Sequence, residues 1–518
     1  MTTGVNILNP ALRGQLFAIQ RTQSAIDQAQ LRLATGNEVN TALDNPNNFF
    51  GSKALDNRAS DLERLLDNIG QNLQVIEAAD NALRATEALL LQAQALVDEL
   101  YLDLTNQTQS LSEIILEDNP AAYWRLNEVS GTTAQNLGSG GAALDGLYNE
   151  ATILGADPLY IGKDNDSAAD FQASANNEFV RIADSPLINT DVHDERTIEL
   201  IFNADHTNGR QVLYEEGGTV NALNIYIEDG ELYVNGRDSG AWGFSTPNPF
   251  ASPISAEIEA GETYHVALVF DFAGDRTFKG FLNGEEIGST NVTAIFPNHG
   301  ANIGIGGMHG DSYFHDGPVN GNGLNFNGRI SDVALYNDVL SADDIQERYA
   351  ASSLQQSRDA ETELNAVLNQ LDLVTADATY RGTNLLEGDN LITYFNEDRS
   401  SSLTTVGKDF SALGLGINTD ADFNRIEEVE DAVEEIREAL IVVRNYSTTL
   451  ANDFAVLSTR EDFIGSMVND LQKGSDLLTV ADQNEEGANL LALQTRQQVQ
   501  FSVLSFNSNA ASIANFLI

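Results

Sequence analysis

Leu55, Leu62, Ile69, Ile76, Leu83, Leu90 and Val97 recur on every seventh residue of a stretch, Leu55 to Leu104, that contains no proline and no glycine but Gly70. Leu66 and Leu73 add companion positions four residues on. A repeat kept this long requires a helix that buries one seam against other helices. A second stretch mirrors it: Val429, Ile436, Val443, Leu450, Leu457, Ile464 and Leu471 again recur at seven, with Val433, Leu440, Phe454 and Val468 four residues on. Two such helices, far apart in sequence, are expected as partners in one bundle. Its rod core is assigned to Leu62, Ile69, Ile76, Leu83 and Leu90 with Ile436, Val443, Leu450 and Leu457. Everything between the two helices is then an excursion from the rod.

The rest of the chain falls into place around that pair. Leu12, Ile19, Ile26 and Leu33 form a short heptad whose companion positions turn polar, so this helix is marginal alone; Gly36 is its expected C-cap. Asn40 to Gly51 is rich in breakers and reads as an irregular link with an aromatic anchor. From Ser110 to Ala351 short apolar strands such as Thr197–Phe202, Leu223–Ile227 and Tyr264–Phe270 alternate with Gly, Asn and Asp, and Glu228-Asp229-Gly230 and Asn283-Gly284 signal hairpins. Many short strands at this spacing imply a β-sandwich. Helix returns at Ser352–Ala376, and Leu391–Phe395 and Leu403–Val406 flank a polar turn. The second long helix is expected to start at an Asp420 or Asp422 N-cap and to break at Gly474.

The last segment differs in kind. From Gly487 onward Arg496 is the only charged residue, while Val499, Val503, Phe506, Ala510, Ile513 and Leu517 alternate by four and three. A free helix surface normally carries charge. An apolar seam among uncharged Gln, Asn and Ser points to burial among many neighbours, in an assembly. The fold class is therefore α+β and multidomain: a long coiled-coil rod with a small β-hairpin and an inserted all-β sandwich. The segments are an N-terminal assembly helix (1–42), an N-terminal rod segment (43–109), the insert (110–351), rod helices with the hairpin (352–474) and a C-terminal assembly helix (475–518). The two assembly helices assign Leu12, Ile19, Ile26, Leu33, Val499, Val503, Phe506, Ile513 and Leu517 to an assembly seam.

Composition excludes several partners. With 27 Lys+Arg against 77 Asp+Glu the formal net charge is −50, which argues against nucleic acid or an anionic membrane surface and suits solubility in a salty medium. There is no cysteine, hence no disulfide or thiol chemistry. No run of apolar residues is long enough for a membrane span. The first residues, Met-Thr-Thr-Gly-Val-Asn-Ile-Leu, lack the basic and apolar regions of a cleavable secretory signal.

Several long segments resemble bacterial flagellins: Ile7-Leu-Asn9, Gln28-Ala-Gln-Leu-Arg-Leu-Ala-Thr-Gly36, Ala42-Leu-Asp-Asn-Pro46, Gly70 to Asp80, and Tyr380-Arg-Gly-Thr-Asn-Leu-Leu-Glu-Gly388. The ending Ile513-Ala-Asn-Phe-Leu-Ile518 departs from that family's more usual one. The insert resembles laminin-G-like or concanavalin A-like jelly rolls through Ala122-Tyr-Trp-Arg-Leu-Asn-Glu128, Tyr264-His-Val-Ala267, Leu282-Asn-Gly-Glu285, Ile303-Gly-Ile-Gly306 and Gly328 to Tyr336. The first resemblance implies a structural subunit that polymerises into the flagellar filament for swimming motility. It also implies an unfolded type III export route, a secreted extracellular location, and an export chaperone and hook-associated or cap proteins as partners besides the chain itself. The alternatives are a hook–filament junction protein, or a lectin-like surface adhesin on a helical stalk. The second resemblance implies an outward-facing domain that binds glycan or protein, with calcium as an optional ligand and no cofactor required.

Candidate chemistry is sparse. There is no phosphate-binding loop, no His-Glu-x-x-His and no Gly-x-Ser-x-Gly. The alternating Glu-x-Asp-x-Glu of jelly-roll glucanases is also missing. The chain is therefore read as no enzyme. His309-Gly-Asp-Ser-Tyr-Phe-His-Asp316 places two His and two Asp in one loop, but at no standard metal spacing, so a polar surface loop is the simpler reading. His309, His315 and Trp242 are ligand-binding candidates, with Trp242 offered for sugar stacking against the simpler role of a packed loop aromatic. Asp311, Asp316 and Asp332 are the calcium candidates, each against the simpler role of turn residue or solvated charge. Trp124 is expected in the core.

Overall fold

The computed structural model describes residues 10–148, 152–161, 167–172, 179–237, 253–292, 295–300, 303–419 and 423–516. Trp242, Asp420, Asp422 and Leu517 lie outside them, and so does the side chain of Ile513. Seven α-helices are described: α1 (Pro10–Thr35), α2 (Pro46–Asn106), α3 (Leu111–Glu117), α4 (Ala342–Ala351), α5 (Leu354–Asp377), α6 (Ile426–Thr479) and α7 (Gln483–Phe516). The chain divides into two compact units, one made of Met1–Leu83, Thr375–Asp409 and Asn445–Ile518, the other of Arg84–Val374 and Phe410–Arg444.

In the first unit the heptad side of α2 is buried at Leu62, Ile69, Ile76 and Leu83, and that of α6 at Leu450, Leu457 and Ile464. Ser52 and Ser475 share a hydrogen bond of 2.9 Å, Gln472 donates to Glu63 at 2.8 Å, and Ser447 donates to Asp80 at 3.1 Å. Rising numbers on α2 meet falling numbers on α6, so the two run antiparallel. Two boundaries differ from the sequence expectation. Helix α2 begins inside the expected link: Asn45 caps it, its Oδ1 accepting from Asn48 N and its carbonyl from Phe49 N, and Pro46 takes the first helical position, where a missing N–H costs nothing. Helix α6 does not break at Gly474. A Cβ there would stand 3.3 Å from Leu55 Cδ1, so this glycine marks a close helix–helix approach. Strands Leu391–Tyr394 and Ser402–Thr405 form the expected hairpin, and Asn72 donates to Thr393 Oγ1 at 2.8 Å to hold it on α2.

In the second unit the same helix pair continues: Leu90, Val97, Ile436 and Val443 are buried, and Arg444 donates to Glu87 at 2.7 Å. The two ends of the insert meet here, because Gln107 Nε2 donates to Ser353 Oγ. The insert is a sandwich of two antiparallel sheets. The first runs in the order Glu285–Asn291, Thr277–Leu282, Thr263–Asp271, Glu195–Ala204, Asn327–Tyr336, Ala168–Gln172 and Ile153–Ala156, with Ala122–Trp124 also pairing on Asn327–Tyr336. The second runs Ile254–Glu257, Glu231–Arg237, Ala222–Glu228, Arg210–Gly217, Ile303–Ile305, Val180–Ile182, Gly146–Tyr148 and Thr133–Ala134. Alternate residues of both sheets, among them Leu200, Phe202, Ile225, Ile227, Leu268 and Phe278, fill the space between them. Trp124 is part of that core, its Nε1 donating to Leu144 O at 2.8 Å.

The outer face of the first sheet is covered by α3 and α4, where Leu111, Ile115, Ile345 and Tyr349 pack on Ile201, Ala267 and Ala334. Both short helices begin with a capping box, Ser110 with Glu113 and Ser341 with Asp344. A buried ionic cluster fastens this layer. Glu199 accepts from Tyr336 at 2.7 Å, from Arg348 at 3.1 Å and from His265 at 3.1 Å, and Arg348 also pairs with Asp118. Burial alone would raise the Glu199 carboxyl, but the His265 hydrogen bond and the Arg348 charge hold it below its usual range.

Candidate functional site

The first candidate surface belongs to α1 and α7, which pack on each other. Gly36, with φ near +74°, ends α1 and donates to Arg32 O, as a C-cap glycine does. The chain then bonds to the α6–α7 junction: Glu38 N donates to Thr479 O at 2.7 Å and Ala481 N to Gly36 O at 2.9 Å. Along the helices Arg32 pairs with Glu486 at 2.8 Å and Gln497 donates to Gln23 at 2.6 Å. On α1 the expected seam is the covered side, with Ile19 and Ile26 buried and Leu12 and Leu33 half-buried.

On α7 the covered side is a different stripe from the expected one. Glu486 is buried and Leu490, Leu493, Gln497, Gln500 and Leu504 are half-buried, also in steps of four and three. Val499, Val503 and Phe506 are 58%, 42% and 75% exposed. Helix α7 thus has two stripes at coiled-coil spacing, and α1 covers the more polar one. Phe17 and Leu31 of α1 and Leu491 and Phe501 of α7 are exposed as well. Apolar surface of this extent, on a helix with a single charge after Glu486, is the mark of an interaction face.

The second candidate surface is the outer face of the second sheet. Asn224, Tyr226 and Glu228 alternate along one strand and so share a face, and cross-strand pairing adds Tyr233 and Asn235. A hairpin made of Ser312–Phe314 and Gly317–Val319 lies on this face and carries part of the His309–Asp316 loop. Tyr226 and His315 Nδ1 are 2.6 Å apart, Tyr233 stacks on His315 with centroids 4.8 Å apart, and Arg210 bonds both Glu228 (2.6 Å) and Asp316 (2.9 Å). Arg210 holds the Asp316 carboxyl below its usual range.

His309 is not part of this group. Its ring packs on Phe179, and burial pushes its pKa down. The three calcium candidates are not brought together either. Asp311 accepts from Gly321 N at 2.8 Å and Asp316 is spent on Arg210. Asp332 is buried in the sandwich, accepting from Tyr123 Oη at 2.5 Å, and burial raises its pKa. Among the described residues no group of three or more His, Asp or Glu could hold a metal ion. Arg210, Tyr226, Tyr233 and Glu228 were missed in the sequence, although the alternation Asn-Ile-Tyr-Ile-Glu after Leu223 already placed three polar residues on one face.

Residues 5–120 match the bacterial flagellin N-terminal helical region, and residues 174–346 match the concanavalin A-like lectin/glucanases superfamily (Laminin_G_3). The chain thus combines a region similar to the flagellin N-terminal helical region with a concanavalin A-like sandwich. Flagellin FljK of Caulobacter vibrioides is 25% identical over 152 residues, covering 29% of this chain and 56% of that protein. A flagellin of Brucella melitensis is 26% identical over 192 residues, covering 33% of this chain and 67% of that protein. The chain spans little more than half the length of the Caulobacter relatives it matches. Among solved structures, Domain 4 of AbnA, a GH43 extracellular arabinanase from Geobacillus stearothermophilus, is similar at TM-score 0.30 and 15% identity, over 45% of this chain and 98% of that domain. The Botulinum Neurotoxin serotype G binding domain is similar at TM-score 0.31 and 12% identity, over 45% and 51%. Among the described residues no helix is long and apolar enough to cross a membrane.

Proposed function

We propose that the chain is a structural subunit that polymerises into an extracellular bacterial flagellar filament. The observation that carries this reading is the exposed, nearly charge-free stripe of α7, with Val499, Val503 and Phe506 uncovered beside a terminal helix pair. The flagellin match over residues 5–120 supports it. The partner is a further copy of the chain, whose helices cover that stripe. A type III export route, an export chaperone and hook-associated or cap proteins follow from the same reading. Electron microscopy of purified protein at raised concentration tests it: filaments are expected, and a chain lacking residues 478–518 should give none.

For the sandwich we propose a binding role toward glycan or protein, supported by the Tyr233–His315 platform with Arg210 and Glu228 beside it. Calcium would need donors other than Asp311, Asp316 and Asp332 together, and calorimetric titration of the full chain with CaCl2 tests whether it binds. The role is structural and adhesive, with no catalytic step assigned.

A further inference from the structure

The hairpin over the second sheet is held by side chains. Its strands pair with each other and form a sheet of their own. Asn224 and Asn235 each donate to Tyr313 O at 3.0 Å, and Asn224 also donates to Ser312 Oγ at 3.2 Å. Tyr226 bonds His315 and Arg210 bonds Asp316 at the turn. Beneath the first strand of the hairpin, Glu215, Asn224 and Asn235 form one cross-strand row.

Glu215 is the anomaly in that row. Its side chain is wholly buried, and its Oε1 has no hydrogen-bond partner among the described residues. Its Oε2 lies 3.4 Å from His309 N, and the Ser312 hydroxyl also bonds the carboxyl. The neighbouring charges are those of Glu216 and Asp311, both of which oppose ionisation. Its sequence neighbour Glu216 takes the nearby cation, Arg196, at 3.1 Å. A carboxylate buried without a counter-charge is strongly disfavoured, so Glu215 is kept as the neutral acid, and burial raises its pKa well above the usual range.

We propose that the Ser312–Val319 hairpin is a flap that closes over neutral Glu215 and lifts as that carboxyl ionises with rising pH. The closed state has the raised pKa. Closure is therefore strongest below the usual carboxyl range and weakens as pH rises toward the raised value. The acid limit is set elsewhere. Asp316 has a lowered pKa through Arg210, so that latch is present above the usual carboxylate range and is lost only as pH falls below it.

The flap carries His315 in its turn, and the other ionisable groups facing it are Tyr226, Tyr233, Glu228, Glu231, Arg210 and Arg237 on the sheet, with His309 and Asp311 in its approach and Tyr214 and Glu216 on the strand of Glu215. Burial pushes Tyr214, Tyr226 and Tyr233 up, so these phenols stay neutral while Glu215 titrates.

Hydrogen–deuterium exchange of the full chain from pH 5 to pH 9, corrected for the intrinsic pH dependence of exchange, tests this. The opening constant of amides in Ser312–Val319 should rise by up to about tenfold per pH unit, the slope of one linked proton. Core amides in Glu195–Ala204 should not follow. In Glu215→Gln, which is neutral at every pH, the flap profile should be flat. A flat profile in the wild type, or an undiminished slope in Glu215→Gln, would overturn the proposal. Should that variant fold poorly, the wild-type profile decides alone.

Discussion

The α2–α6 pair and the α1–α7 pair obey the same seven-residue period and use it to opposite ends. In the first, every assigned rod-core position from Leu62 to Leu90 and from Ile436 to Leu457 is buried. In the second, one stripe of α7 is half-covered and another, at Val499, Val503 and Phe506, is left open. Periodicity therefore says that a helix has a seam. Whether the chain itself completes that seam depends on how many apolar stripes the helix has and how many partners it meets. A helix with two stripes and one partner keeps one stripe open, and the proposed occupant of that stripe is a second copy of the chain.

The largest expected effects lie in the finished pair. Leu450→Asp puts an unpaired carboxylate into a wholly buried position, at a cost of several kcal/mol, comparable with the stability of a domain. Loss of the cooperative melting transition in circular dichroism is expected, and an unchanged melting curve would show that burial at this seam does not hold the pair. Next comes Arg348→Ala in the sandwich. It leaves Glu199 buried with the hydrogen bonds of Tyr336 and His265 but without its arginine, and removing one partner of a buried ion pair costs about 3–5 kcal/mol. A lower denaturation midpoint of the sandwich should be seen by tryptophan fluorescence, with Trp124 as reporter. Deleting residues 112–350 and joining the helices with a short linker should be milder for assembly. Gln107 and Ser353 already touch at the ends of the insert, so filaments should still form, and only soluble protein at every concentration would mean that the insert takes part in packing.

Much of this was legible in the sequence, and the exceptions have physical causes. The rod heptads, the hairpin at Leu391 and Ser402, the strand-rich insert and the core role of Trp124 all follow from local period and turn chemistry. Gly474 was misread because a glycine that permits close approach to Leu55 has the same local signature as one that ends a helix. Pro46 was placed in a link although proline is at home in the first turn. The covered stripe of α7 was out of reach because two stripes interleave and only tertiary contact chooses between them. The calcium candidates failed because Asp density along a chain says nothing of convergence in space: Asp316 went to Arg210 and Asp332 into the core.

The smallest effect on folding should come from the open stripe of α7, where the effect on assembly should be complete. Val499→Asp with Phe506→Asp changes two solvent-facing positions, and surface substitutions of this kind shift stability within about 0.5 kcal/mol each. The melting curve should stay where it is. Electron microscopy of the same sample at concentrations where the wild type polymerises should show no filaments. Filaments as abundant as those of the wild type would contradict the claim that this stripe is the surface on which copies of the chain meet.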